Sequence, residues 1–286
     1  MISSHSTALA CSAREAGANP LTQASTIVSA ADNQFSPPSI SDFFPPALLF
    51  EGTPFEFTRI SMIQFIATAV LVLILVLGTR RMSVVPGRFQ SVIEFAFGFV
   101  REQVAFQVLG EKDGRRFLPI LTAMFFGILF FNLTGVIPFA NIPGTSVAGA
   151  PLVLALTAYV LFIYAGIRRH GLPRFLKNSL VPSGVPIYLL PIIAVVELIS
   201  TFIARPVSLF LRLLLNMMVG HLMLVLFFSA TQFFLLSGGW LMPLAGGTLA
   251  LGFAFTLFEI FVSLLQAYVF TILTAVYIQL AVAEEH

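Results

Sequence analysis

Apolar positions gather into five long runs along the chain, at about residues 60–79, 117–139, 152–167, 187–228 and 248–282. Each run is long enough to cross a hydrocarbon core of about 30 Å as a helix rising about 1.5 Å per residue. The first run is uncharged. Residues 90–108 follow a different rule: Val92, Ile93, Ala96, Phe97, Val100 and Val104 recur at helical spacing on one face, and Glu94, Arg101 and Glu102 fall elsewhere. That pattern predicts an amphipathic helix lying at the membrane surface. A polar turn over residues 110–116 separates it from the second run, which carries Asn132 and ends near Pro138 and Pro143. Residues 229–247, with Gly238, Gly239, Pro243, Gly246 and Gly247, predict a break between the last two runs. Residues 1–40 read as a disordered tail. Residues 39–57, aromatic and proline-punctuated, read as an interfacial segment too short to span. The expected fold class is all-α: a polytopic membrane protein of five membrane-crossing helical regions, with residues 41–286 as one membrane domain.

Composition strengthens this reading. Of 286 residues, 58% are hydrophobic and 10% charged, against about a quarter charged in soluble domains. The single cysteine, Cys11, excludes an internal disulfide, and a net charge of +2 gives no footing for nucleic acid. The basic residues report topology instead. Residues 80–116 hold seven Lys or Arg and residues 168–177 hold four, while the loop after the second run and residues 229–247 hold none. Positive charge collects on the cytoplasmic side, so the N-terminus is expected outside and the C-terminus inside.

The chemistry is concentrated in the fourth and fifth runs. The fourth retains Glu197, Arg205, Arg212 and His221, although an ionised side chain at a helix centre costs roughly 2.5 to 3.5 kcal/mol on insertion scales. Arg212 remains cationic at any accessible pH. At about 100° per residue, Arg205, Ser208, Arg212 and Asn216 share a face, and His221 lies roughly opposite Arg212. With the inferred orientation, Glu197 stands in the inner half. His221 and, on the last helix, Glu259 stand at comparable depth in the outer half, with Gln266 two turns deeper on the same face as Glu259. This suggests two offset aqueous half-paths with Arg212 between them as an electrostatic barrier. Other readings stay open: Arg205 as a snorkelling or structural residue, and His221, Asn216 and Gln266 as interior hydrogen-bond formers. Arg168, Arg169, Arg174 and Lys177 read first as a topology signal.

The stretches Glu197-Leu198-Ile199-Ser200, Arg205-Pro206-Val207-Ser208-Leu209, Arg212 to Asn216, Gly220-His221, Leu265-Gln266-Ala267-Tyr268-Val269-Phe270 and the ending Ala283-Glu284-Glu285-His286 closely resemble subunit a of the membrane sector of F-type ATP synthases, in its bacterial form. The resemblance covers about residues 42–286. It implies a non-catalytic, proton-translocating stator subunit in a bacterial plasma membrane, rather than the mitochondrial inner membrane, with two long final helices forming a tilted hairpin. Its implied partners are a ring of c subunits, peripheral-stalk b subunits, the remaining synthase subunits and lipid. Arg212 would face the ring, with Asn216 and Gln266 beside it. His221 and Glu259 would line the outer half-channel and Glu197 the inner. Asn132 and Tyr277 match further polar positions. Two departures stand out: Leu215 replaces the usual small residue before Asn216, and Glu197 to Arg205 is one residue longer than is common, the signature a π-bulge would leave.

A stand-alone channel or secondary transporter is the competing function, although no matching half with broken helices is visible. An intramembrane enzyme has no H-E-x-x-H, cysteine or histidine cluster, or phosphate-binding loop behind it. No cofactor or metal is expected.

Overall fold

Lipid offers no partner for a backbone amide, so apolar segments of this chain satisfy their hydrogen bonds within helices. In a computed structural model, which describes residues 58–79, 87–137, 143–180 and 188–283, every long element is helical. The first, α1 (Arg59–Thr79), buries Ile60, Ile63, Ala67 and Leu71, one residue per turn, and leaves Phe65, Ile66 and Leu73 exposed. Among the described residues, five helical stretches are long and apolar enough to cross a membrane: Arg59–Gly78, Gln90–Leu133, Gly149–His170, Leu190–Ser237 and Gly239–Val282. The expectations for residues 1–57, for the first part of the basic stretch (80–86), for the end of the second run near Pro138 and for the ending at 284–286 lie outside the described residues.

The amphipathic helix is present as α2 (Arg88–Phe99), continued by a π-helical segment, Val100–Phe106. It packs against the helix that follows. The next helix, α3 (Gln107–Leu133), breaks at Gly110, whose φ of 75° and ψ of 172° reverse the chain. The two arms then run antiparallel, with Phe97 against Phe126 at 5.2 Å and Phe99 against Phe125 at 6.0 Å between ring centroids. Val100 and Val104, from the apolar face expected in sequence, and Ala105 beside them are buried in protein. Periodicity identified the sticky face but not what would cover it.

The hairpin closes tightly at Gly114, where an added Cβ would stand 2.8 Å from Phe106 Cδ1 and 2.9 Å from the Ala105 carbonyl oxygen. The carbonyl cannot swing aside. Gly114→Val is therefore expected to lower stability by about 1 to 3 kcal/mol through overpacking, read as a lower thermal midpoint of the detergent-purified protein. Gly127→Ala, where nothing lies within 4 Å, should leave that midpoint unchanged or raise it. Equal midpoints for the two variants would refute the close approach.

A loop after α3 is stitched by polar groups: Thr145 donates to Asn132 Oδ1, the Gly144 amide to Thr134 Oγ1 at 3.0 Å, and Gln64 of α1 to the Gly144 carbonyl at 2.6 Å. Helix α4 (Gly149–His170) ends at Gly171, and a short α5 (Leu172–Leu180) turns back, seating Phe175 against Phe162 and the surface of Gly166. Helix α6 (Leu190–Ile199) passes through a π-helical segment, Ser200–Ala204, into α7 (Arg205–Ser237). The long Glu197 to Arg205 spacing is thus taken up by π winding.

The described chain comprises two compact units. One is formed by Val225–Phe253 and the other by the remaining described residues. In the first, α7 extends beyond the expected break to Ser237. The turn occupies only Gly238 and Gly239 (φ 62° and 63°) and the 3₁₀ segment Gly239–Leu241, and α8 (Met242–Val282) begins at once. Pro243 sits in the first turn of α8, where its missing N–H costs nothing. Gly246 and Gly247 stay helical, because about 1 kcal/mol each against alanine is less than the cost of unpaired backbone in hydrocarbon. Thr231 and Thr248 share a hydroxyl contact of 2.9 Å, and Phe228 meets Phe253 edge-on within this unit. The second unit holds the main core, in which Leu121, Phe125, Ala158, Phe162, Leu213, Phe270 and Ile278 pack together.

Candidate functional site

Along α7, Leu209, Leu213 and Met217 recur every four residues and are buried, which turns the other side of the helix outward. Ser208, Arg212 and Asn216 lie on that outward side, in the company of Leu211, Leu215 (51% exposed) and Val219 (52% exposed). Among the described residues Arg212 makes no hydrogen bond and no ion pair. The face therefore presents a permanent cation in the middle of an apolar, uncovered strip. Leu215, the departure noted in sequence, sits in this strip rather than in the core, so its bulk is offered to whatever covers the face.

Arg205 behaves differently from the sequence expectation that grouped it with Arg212. Its guanidinium lies 5.5 Å from the Tyr277 ring centroid and 5.9 Å from that of Phe162, two cation–π contacts that draw it inward. Ser208 donates to the Arg205 carbonyl at 2.9 Å. Tyr277 is thereby a neighbour of Arg205, and Asn132 belongs to the loop network described above.

Glu197, Thr201 and Arg205 line a cleft of about 290 Å³ together with His170, Phe175, Ser179 and Leu280. Thr201 Oγ1 stands 3.5 Å from Glu197 Oε2. On a pure α-helix, steps of four residues drift by about 40°. The wider i→i+5 winding of Ser200–Ala204 offsets that drift and keeps all three side chains toward one opening. His170 and Thr201 were not singled out in sequence: His170 closes a basic run that topology already accounts for, and Thr201 stands among apolar neighbours.

The third cluster joins α7 to α8. Asn216 Nδ2 donates to Gln266 Oε1 at 2.8 Å, so the two helices approach at the level just past Arg212. Farther along, Glu259 packs on Gly220: a Cβ added there would stand 3.0 Å from Glu259 Oε1. His221, the next residue, is also buried. His221 and Glu259 therefore occupy the same level of the helix pair, and among the described residues no third His, Cys, Asp or Glu joins them as a metal-ligating group. Glu259 (2% exposed), Ser263 (0%) and Gln266 (1%) stand on one face of α8. Among the described residues, both Glu259 carboxylate oxygens, the Ser263 hydroxyl and Gln266 Nε2 have no hydrogen-bond partner. Ser263 was missed in sequence. The available signal was the spacing of four and three residues from Glu259 through Ser263 to Gln266.

Three separate places thus hold the polar side chains of an otherwise apolar helix pair: a half-open cleft at Glu197, an uncovered cation at Arg212, and a buried line from Glu259 to Gln266. The chemistry available is proton exchange and charge stabilisation.

The chain as a whole is similar to known proteins. The family model described as ATP synthase A chain matches residues 61–279. A protein of Rhodococcus erythropolis named ATP synthase subunit a is 43% identical over 263 residues, covering 91% of this chain and 96% of that protein. Proteins of the same name from Pseudarthrobacter chlorophenolicus (37% identical, 88% of this chain, 96% of that protein) and Gluconobacter oxydans (39%, 83% and 93%) are also similar.

Proposed function

Because the chain belongs to the ATP synthase A chain family, we propose that it is the proton-translocating stator subunit of a bacterial F-type ATP synthase, embedded in the plasma membrane with its N-terminus outside and its C-terminus in the cytoplasm. The observation that carries this reading is Arg212: a guanidinium that cannot be neutralised and that, among the described residues, is unpaired on an exposed, largely apolar face. Such a face fits a rotating ring of c subunits, each bringing a carboxyl group past it. An opposite charge within about 4 to 6 Å lowers a carboxyl pKa by roughly 1 to 3 units, so Arg212 promotes release of the ring's proton. The same charge repels a hydronium. At an effective dielectric of about 20, two unit charges about 6 Å apart repel by about 3 kcal/mol, which corresponds to about a hundredfold.

Protons reach the ring through two half-paths. The outer one runs by His221 and Glu259 toward the Gln266 and Asn216 pair, and the inner one opens through the cleft at Glu197, with Thr201 and Arg205 on its walls. The chain is not itself catalytic: ATP is made elsewhere in the complex, and peripheral-stalk b subunits hold this subunit against the turning ring. Proton is the coupling ion this reading takes.

Mild-detergent purification of the tagged chain from its own membranes tests the reading. The expected result is co-purification with a c ring and peripheral subunits, in a complex that acidifies vesicles on addition of ATP. A chain that purifies alone and conducts protons alone when reconstituted would favour a stand-alone channel and overturn it.

A further inference from the structure

Glu259, Ser263 and Gln266 fall within about a 60° arc of α8, at rises of about 6 Å and about 4.5 Å. Each carries at least one buried polar atom that nothing among the described residues pairs. Native proteins rarely leave such groups unsatisfied, and ordered water is the usual remedy where two or more polar groups converge. One water bonded on both sides bridges heavy atoms about 4.5 to 5.5 Å apart. That reach matches the spacing from turn to turn here.

Ser263 is the informative member. A hydroxyl within a helix ordinarily turns back onto the carbonyl of the preceding turn. On this same helix Thr271 donates to the Ala267 carbonyl at 2.7 Å and Thr274 to the Phe270 carbonyl at 2.9 Å. The Glu259 carbonyl stands in the equivalent place for Ser263, yet the Ser263 hydroxyl does not use it. A fully buried hydroxyl that forgoes its local bond is oriented for something else.

We propose that Ser263 is a positioning residue that holds a water link between the Glu259 carboxyl and the Gln266 amide, the latter tied to Asn216 through its own oxygen. Protons move along this link by exchange. The water beside Glu259 accepts a proton from the carboxyl group and passes another to the Ser263 hydroxyl, which releases its own proton to a second water held by the Gln266 amide. The water and the hydroxyl then reorient, and nothing is consumed. The proposal rests on the reading of Glu259 as a path residue and adds a hydroxyl to that path.

The test uses the assembled complex in vesicles, stripped of its catalytic sector, with passive proton conduction measured under an imposed potassium diffusion potential. Ser263→Ala is expected to slow conduction roughly three- to tenfold, the range that loss of one net hydrogen bond along a path implies. Assembly should be unchanged and the thermal midpoint unchanged or raised, and Ser263→Thr, which keeps the hydroxyl, should conduct closer to wild type than Ser263→Ala. Glu259→Gln is run beside them. If Glu259→Gln conducts normally, the underlying path reading fails and this proposal fails with it. If Glu259→Gln is blocked while Ser263→Ala conducts as wild type, only the role of Ser263 is overturned. Slowed conduction with a lowered midpoint in Ser263→Ala would assign Ser263 to packing and overturn it as well.

Discussion

Arg212→Ala is expected to abolish ATP-driven acidification by vesicles carrying the assembled complex, while leaving the subunits together. Assembly should survive because Arg212 has no hydrogen bond or ion pair within the described protein, so removing it leaves no buried group behind in this chain. Coupling should not survive, for two reasons with one origin. Without the fixed cation, a ring carboxyl arriving at this face keeps its proton, since the favourable charge that lowered its pKa by roughly 1 to 3 units is gone. The barrier of about 3 kcal/mol to a hydronium also disappears, so passive leak should rise by up to about a hundredfold. Arg212→Lys tests whether charge alone suffices. Its ammonium is a compact, strongly hydrated charge without the planar fork, and partial coupling at most is expected. Arg205→Ala should be milder, because Arg205 is held by Phe162 and Tyr277 at about 0.5 to 2 kcal/mol of cation–π attraction. Its loss should show chiefly in stability. Normal pumping by an assembled Arg212→Ala complex would reject the barrier and leave Arg212 as a surface charge.

What the sequence disclosed and what it withheld follow from how hydrocarbon acts on a chain. Span existence was legible, because about twenty apolar residues have few other fates. Span facing was not: α1 is apolar on most sides, and every residue type in the buried line through Ile60, Ile63, Ala67 and Leu71 also occurs on its exposed side, at Ile66, Ala69 and Leu73. Glycine misled at one end and informed at the other. Gly246 and Gly247 resemble a turn but remain helical, whereas Gly238, Gly239 and Gly110 adopt positive φ and do reverse the chain. What separates them is position relative to the tertiary fold, which local composition does not encode. The charged residues were visible because each is anomalous in lipid. Their partners were not: Thr201, His170 and Ser263 are unremarkable in composition and acquire meaning only beside Glu197 or Glu259. The π-helical segment before Arg205 lies between, since an unusual spacing pointed to it and the backbone carries it.

Glu259→Gln is expected to cut passive proton conduction through the stripped membrane sector by at least about a hundredfold, the lower end of what a positioned acid–base group contributes. The amide has nearly the shape of the acid, so the packing on Gly220, where the carboxylate oxygen stands 3.0 Å from an added Cβ, is preserved. What is lost is the ability to take up and release a proton, which His221 at the same level does not replace, because a hand-over needs a donor and an acceptor in turn. A structural role would instead lower the thermal midpoint, which is not expected. A carboxyl group buried with both oxygens unpartnered carries a desolvation cost that a neutral amide reduces. The variant should then be as stable as the parent or more so. Blocked conduction with an undiminished thermal midpoint thus separates proton carriage from scaffolding. Glu259→Asp, which keeps the acid but withdraws it by one methylene, should recover part of the conduction, while Gly220→Val, which keeps the acid but pushes it from its seat, should lose part of it. Together the three variants make conduction follow the presence and position of one proton-exchanging group. An assembled Glu259→Gln complex conducting at the parental rate would remove Glu259 from the path and require the protons to enter between α7 and α8 by another line.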